Sequence, residues 1–413
     1  MSKRVKAAIN PQMLVWARDS LGMPIGMAAD RLDMPLERLR AWEAGDPDER
    51  PSIAQAEKLA KLYDRPLALL YLPAPPVEPG MPADFRFTDG PMEDSLPPEL
   101  RKVIRRVRAL RESALSLAEE ISETDERFPA IGLHASLTDD AEAVGAAARQ
   151  WLGIGDEPHT NYHDGEIAFA GWRTALEDRG VLVFMSMDRV PVSTFRGFAL
   201  VEERASAIAI NNKDEKPARM FTLLHELGHV VLGRSGVCGD LTEIPGDDRD
   251  QARVEVWCNR FAGAALVPAA LLRDEPGFAA VVQAFSRPAS WEHEDDQRLR
   301  WIARRFAVSA EVIVRRLTII GAITNQDYRG WRRSWYERYP ISQPRDEERT
   351  GGPGQSQLAP YRLGFGYLRV VFEAYWSNHV SLYDLCHLVG NVKVETARKI
   401  EDRFKARLFA MAG

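Results

Sequence analysis

The stretch FTLLHELGHVVLG, residues 221–233, constrains this chain more than any other. Two histidines stand four residues apart, and a glutamate follows the first. On an α-helix, residues i and i+4 lie on one face, a turn apart, so His225 and His229 present both imidazoles to one point. Glu226 lies about 100° around the helix and reaches a water held at that point rather than the point itself. This is the H-E-x-x-H arrangement of two zinc ligands and a general base. With 8 histidines in 413 residues, chance produces this spacing in about one such chain in a hundred. The neighbours Phe221, Leu223, Leu224, Leu227, Val230 and Val231 are too apolar for a surface helix. Polar groups within a buried helix need partners, because leaving them unpaired is costly. A metal supplies one.

A zinc that keeps an open coordination position wants three protein ligands. The longer H-E-x-x-H-x-x-G-x-x-H pattern would require histidine at 235, where the chain has Ser235. A glutamate on a following helix is the other common solution. RVEVWCNRFAGAALVP supplies Glu255, on an otherwise apolar helix where a carboxylate calls for a cation. Asn259, one turn on, shares its face and is placed to hydrogen-bond a ligand. Glu243, Asp247, Asp248 and Asp250 compete for the ligand role, but they sit in a polar loop that favours solvation. Cys238 reads as a free loop cysteine before it reads as a redox-sensitive thiol beside the metal. Candidates for a further donor to a developing oxyanion are Tyr162, His163 and Arg204. By analogy with other small metallopeptidases, the strand over 205–211 is expected to accept an extended substrate along its edge. Imidazole and carboxylate donors accept manganese as well as zinc.

Together, RGFALVEERASAIAINNKDEKPARMFTLLHELGHVVLG and VEVWCNRFAGAALVP resemble the ImmA/IrrE family of bacterial metallopeptidases over about residues 172–272. The matching runs, in order, are RGF, INNKD, ARMFTLLHELGH and the E-x-x-x-N-x-F-A helix that ends at Pro268. The resemblance implies a gluzincin-like domain in which Glu255 is the third zinc ligand. It departs at Cys258, where the family commonly has alanine, a small core substitution. It also implies a zinc-dependent, site-specific endopeptidase whose substrate is a helix-turn-helix repressor, cut to release stress-response or mobile-element genes. The alternative is a DNA-binding transcription regulator that uses the metallopeptidase fold as a sensor without proteolysis.

Upstream, INPQMLVWARDSLGMPIGMAADRLDMPLERLRAWEAG and RPSIAQAEKLAKLY resemble the Xre-type helix-turn-helix, with LRAWEAG closing the recognition helix. Residues 1–76 carry 11 basic and 10 acidic side chains. That balance leaves few charges for the phosphate contacts that dominate non-specific affinity. The recognition helix, about 35–43, offers Arg38 and Arg40 to guanine or phosphate. The same fold serves as a protein-interaction or autoregulatory module. A homodimer is the matching expectation, since such modules often bind paired half-sites.

The expected fold class is therefore mainly α with a small α+β core. The helix-turn-helix bundle occupies 1–76 and a linker with a basic helix 77–135. The metallopeptidase domain with its short β-sheet spans 136–275. A helical module covers 276–338, a Pro- and Gly-rich linker 339–357, and a C-terminal helical module 358–413. A net charge of −6 excludes a chain-wide basic footprint for nucleic acid. Three cysteines do not make a disulfide framework and suit a reducing compartment. No apolar run approaches the 18 or more residues of a membrane span, and the N-terminus lacks the apolar core of a secretory signal. The expected location is the cytoplasm.

Overall fold

Contacts along the chain divide it into two units, Met1–Arg106 with Asp188–Val190, and the remainder. The computed structural model describes residues 5–78, 96–122, 127–155, 165–186, 190–238, 249–287, 291–339 and 354–412.

In the first unit, α1 (Pro11–Asp19), α2 (Ile25–Arg31), α3 (Leu36–Ala44) and α4 (Ile53–Leu62) are short helices with tight connections. Their ends are written in the sequence. The Asn10 side chain accepts from the Gln12 amide at 3.0 Å, and Pro11 opens α1. Gly45, at φ 77°, stops α3 in the left-handed conformation that glycine adopts freely. Ser52 and Gln55 form a capping box at the start of α4. Met13, Leu14, Ala17, Leu39, Trp42, Leu59 and Tyr63 make the core. Arg18 grips Glu43 through two bonds of 2.8 and 3.0 Å, fastening α1 to α3. After α4, Leu67–Tyr71 forms a 3-10 turn. Helix α5 (Pro98–Ile121) begins in this unit and ends in the second.

The second unit contains α6 (Ala141–Trp151), α7 (Gly165–Asp178), β1 (Leu182–Ser186), β2 (Gly197–Leu200), β3 (Ala207–Asn211), α8 (Lys216–Val231), β4 (Gly236–Cys238) and α9 (Arg249–Leu266). It continues with α10 (Ala269–Arg273), α11 (Phe278–Phe285), α12 (His293–Arg305), α13 (Ala310–Ile319) and α14 (Asn325–Arg338). Helices α15 (Gln355–Leu363), α16 (Phe365–Trp376), α17 (Leu382–Leu388) and α18 (Val394–Ala412) complete it.

The four strands form one mixed sheet in the order β1-β3-β2-β4. β1 runs parallel to β3, with Leu182 opposite Ala207. β2 is antiparallel to both β3 and β4, with Gly197 facing Ile210 on one side and Cys238 on the other. β1, β2 and β3 are buried along their whole length, so both faces are covered and the strands read as continuous apolar runs. Val183, Met185, Ile208 and Ile210 join the core cluster that includes α8. Phe184, alternating to the opposite face, meets Tyr367 of α16 edge-on at 5.8 Å. The order corrects one expectation. Strand 205–211 is interior, bonded on both sides, and has no edge to offer a substrate; the outer edges belong to β1 and β4.

One apolar cluster runs from Ile131 through α8 and α9 to Trp331 in α14. Buried Arg316 of α13 donates to the Val267 carbonyl at 2.9 Å and to Glu142 of α6 at 2.8 Å. Among the described residues no helix is long and apolar enough to cross a membrane.

Candidate metal centre

Helix α8 starts with Pro217 in its first turn and is buried from Thr222 to Val231. A helix that is apolar on all sides belongs in an interior, and this one lies between the sheet and α9. It therefore carries His225, Glu226 and His229 into the core, each fully buried. The two Nε2 atoms lie 3.2 Å apart.

Helix α9 delivers Glu255 to the same point. Its carboxylate oxygens stand 3.2 Å from His225 Nε2 and 3.5 Å from His229 Nε2. Zinc bonds of about 2.0–2.1 Å in a tetrahedron put neighbouring donor atoms about 3.3 Å apart. The two imidazole nitrogens stand 3.2 Å apart and each meets a different Glu255 oxygen at 3.2 and 3.5 Å, and two imidazoles with a carboxylate are a chemistry that suits a catalytic site.

Around the donors, the side chains set orientation. His225 Nδ1–H donates to Asn259 Oδ1 at 3.1 Å, which leaves the Nε2 lone pair facing Glu255. Gln251, a turn before Glu255, donates to its Oε1 at 2.8 Å. Sequence reading passed over Gln251, although its i to i+4 spacing from Glu255 was a usable signal. His229 Nδ1 has no hydrogen-bond partner among the described residues. Packing holds its ring instead: a Cβ on Gly236 of β4 would come within 2.8 Å of its Cε1. Gly197 of β2 does the same for Glu226, since a Cβ there would lie 3.1 Å from Glu226 Cγ and 2.6 Å from Thr222 Cγ2. Only glycine lets these two strands approach so closely.

Residues 176–318 match the model of the IrrE N-terminal-like domain, a peptidase family, and residues 14–70 match a helix-turn-helix model. This chain joins an IrrE N-terminal-like domain to a helix-turn-helix. No curated protein matches its sequence. The IrrE-like match runs from the end of α7 into α13, so it contains the sheet, α8 and α9.

Within the IrrE-like domain, Cys258 is a second candidate donor. Its sulfur and the two histidine nitrogens all lie within 4.8 Å of one another, and the residue is buried. Burial, with Glu255 and Glu226 nearby, pushes its thiol well above the ordinary range. A thiol must lose its proton to bind metal. Glu255 brings its carboxylate oxygens within 3.2 and 3.5 Å of the two imidazole nitrogens. Cys258 also packs against Gly228, its sulfur 3.1 Å from where a Cβ would stand.

The remaining sequence candidates fall elsewhere. Asp250 pairs with Arg234 at 2.7 Å. Arg204 pairs with Glu119 at 3.4 Å. Tyr162, His163, Glu243, Asp247, Asp248 and the side chain of Cys238 lie outside the described residues. In the helix-turn-helix, Arg38 and Arg40 sit on α3, where Arg38 faces Glu49 at 3.7 Å and Arg40 faces Glu37 at 2.9 Å.

Burial holds the His229 imidazole at about 4, against the opposing pull of Glu255, where an imidazole ordinarily titrates near 6.5. The ring is thus neutral and ready to ligate at neutral pH. The unfolded chain binds this proton near 6.5 and the folded chain only near 4, so stability rises with pH across that window and is full above it. The metal-free protein should therefore lose urea resistance as the pH falls from 7 towards 4. His229→Gln should flatten that part of the curve. An unchanged slope in the variant would show that His229 is not the source.

Proposed function

We propose that this chain is a metal-dependent endopeptidase, zinc-loaded, that cuts a helix-turn-helix repressor at one site. The convergence of His225, His229 and Glu255, with Glu226 beside them on α8, carries the reading. The resemblance to ImmA/IrrE peptidases supplies the substrate class.

Held by the three donors, zinc would acidify a water and polarise the scissile carbonyl. Glu226 takes the proton from the attacking water and passes it to the leaving amine nitrogen. Asn259 keeps His225 in the tautomer that turns Nε2 towards the centre. Gln251 steadies the Glu255 carboxylate. Manganese meets the same donors and is the second metal to load.

The helix-turn-helix unit gives the peptidase a DNA-directed arm through Arg38 and Arg40. Both arginines are exposed and paired with acidic neighbours. Such pairs contribute about 0–1 kcal/mol, so exchanging them for phosphate or guanine is inexpensive. A gel-shift titration on the chain's own promoter DNA should weaken several-fold in an Arg38→Ala, Arg40→Ala double variant. Equal binding by the variant would remove these residues from the interface.

The cleavage reading is tested by mixing metal-loaded protein with purified helix-turn-helix repressors encoded beside its own gene. A single cut that needs metal is the expected result. No cut in any metal state would overturn it.

A further inference from the structure

A cavity of about 210 Å³ opens beside the metal centre. It is smaller than the roughly 300–1,000 Å³ of pockets that take whole small molecules, and fits a single side chain. Phe221, one turn before His225 on α8, forms one wall, with Val312 and Ile319 of α13 and Tyr328 of α14 around it. Asn259 also lines it. Since the Asn259 oxygen accepts from His225, the cavity lies one side chain from the metal donors.

Asn259 and Arg315 bring donors to the cavity, while Thr318 and Asn325, which also line it, can donate or accept. The Asn259 oxygen is engaged by His225, and its amide nitrogen has no partner among the described residues. Arg315 lines the cavity too. Its Nε and Nη2 donate to Glu311 at 3.2 and 2.9 Å, and its guanidinium lies 5.5 Å from the Tyr328 ring centre. That carboxylate also accepts from Arg332 Nε at 3.2 Å and Tyr328 Oη at 2.8 Å. One carboxylate between two guanidiniums leaves a positive surplus at this end.

We infer that this cavity is the side-chain pocket of the peptidase, and that it takes a residue with an apolar stem and a hydrogen-bond-accepting tip, glutamine or glutamate. The inference rests on the metallopeptidase reading above. The apolar walls hold the stem, the Asn259 amide and Arg315 meet the tip, and the positive field turns away lysine and arginine. The pocket would thereby choose the residue next to the scissile bond.

Calorimetry on the zinc-loaded full chain tests this without requiring turnover. The probes are acetohydroxamate, which has no side chain, and the hydroxamates of N-acetylated glutamine, glutamate, leucine and lysine. Glutamine and glutamate should bind at least about tenfold tighter than acetohydroxamate, leucine less so, and lysine no better. Ile319→Trp, at a partly exposed wall position, should erase the side-chain gains and leave acetohydroxamate unchanged. Arg315→Met should erase only the advantage of glutamine and glutamate over leucine. Equal binding by all probes overturns the pocket and leaves the metal site standing. Tightest binding by leucine or lysine overturns the assigned tip chemistry. Failure of acetohydroxamate itself to bind overturns the metal reading, and the pocket with it.

Discussion

Glu226→Gln is expected to fold, to bind zinc with nearly unchanged affinity, and to cut the proposed repressor substrate about 10²–10⁴-fold more slowly. The amide has the shape of the carboxylate, so it fits the space that Gly197 leaves against the α8 face. It cannot accept the proton of the attacking water. In the proposed centre the metal donors are His225, His229 and Glu255, so losing the carboxylate at 226 leaves them in place. His225→Ala should behave differently, losing both metal and cleavage. Metal content by mass spectrometry and cleavage by gel assay, run on both variants, separate the roles. Wild-type cleavage by Glu226→Gln would end the general-base assignment. Wild-type regulation in cells by the same variant, with His225→Ala inactive, would show that the bound metal matters and cutting does not.

The second large effect should come far from the metal. Glu177, fully buried on α7, accepts from Arg173 Nε at 3.0 Å and from the Phe365 and Gly366 amides at 3.0 and 3.2 Å. Arg173 also donates to the Tyr361 carbonyl at 2.6 Å and to the Val183 carbonyl. One ion pair thus ties α7, β1, α15 and the first turn of α16. Breaking a buried pair by removing one partner costs about 3–5 kcal/mol, because the other charge is left stranded. Glu177→Ala should lower the unfolding free energy, read from urea titration, by that amount and expose the α15–α16 junction to protease at native conditions. An unfolding free energy lowered by less than about 1 kcal/mol would show that water replaces the carboxylate without strain.

How much of this could be read in advance depends on how far apart the partners lie in the chain. His225 and His229 announce themselves because helical geometry converts a spacing of four into proximity. Glu255 stands out as an acid on an apolar helix, and Asn259 follows from it by one turn. The first three strands and the long helices are legible because their apolar periodicity is local. Strand order is not. A strand buried on both faces shows an unbroken apolar run whether it lies at an edge or inside, so the interior position of β3 left no mark. β4 has three residues, too few for any period to appear. The Glu177 clamp joins residues 188 positions apart, and each half alone looks like an ordinary helix charge or turn.

The apolar cluster around α8 and α9 reaches Trp331, whereas the IrrE-like match stops at residue 318. A truncation placed at the match boundary would remove Ile323 and Trp331 from that cluster and leave their neighbours facing water. Such a fragment should express poorly and aggregate, while still carrying every residue of the H-E-x-x-H motif. The family match and the folded core have different borders in this protein: the matched segment is smaller than the segment that must be synthesised for its core to close.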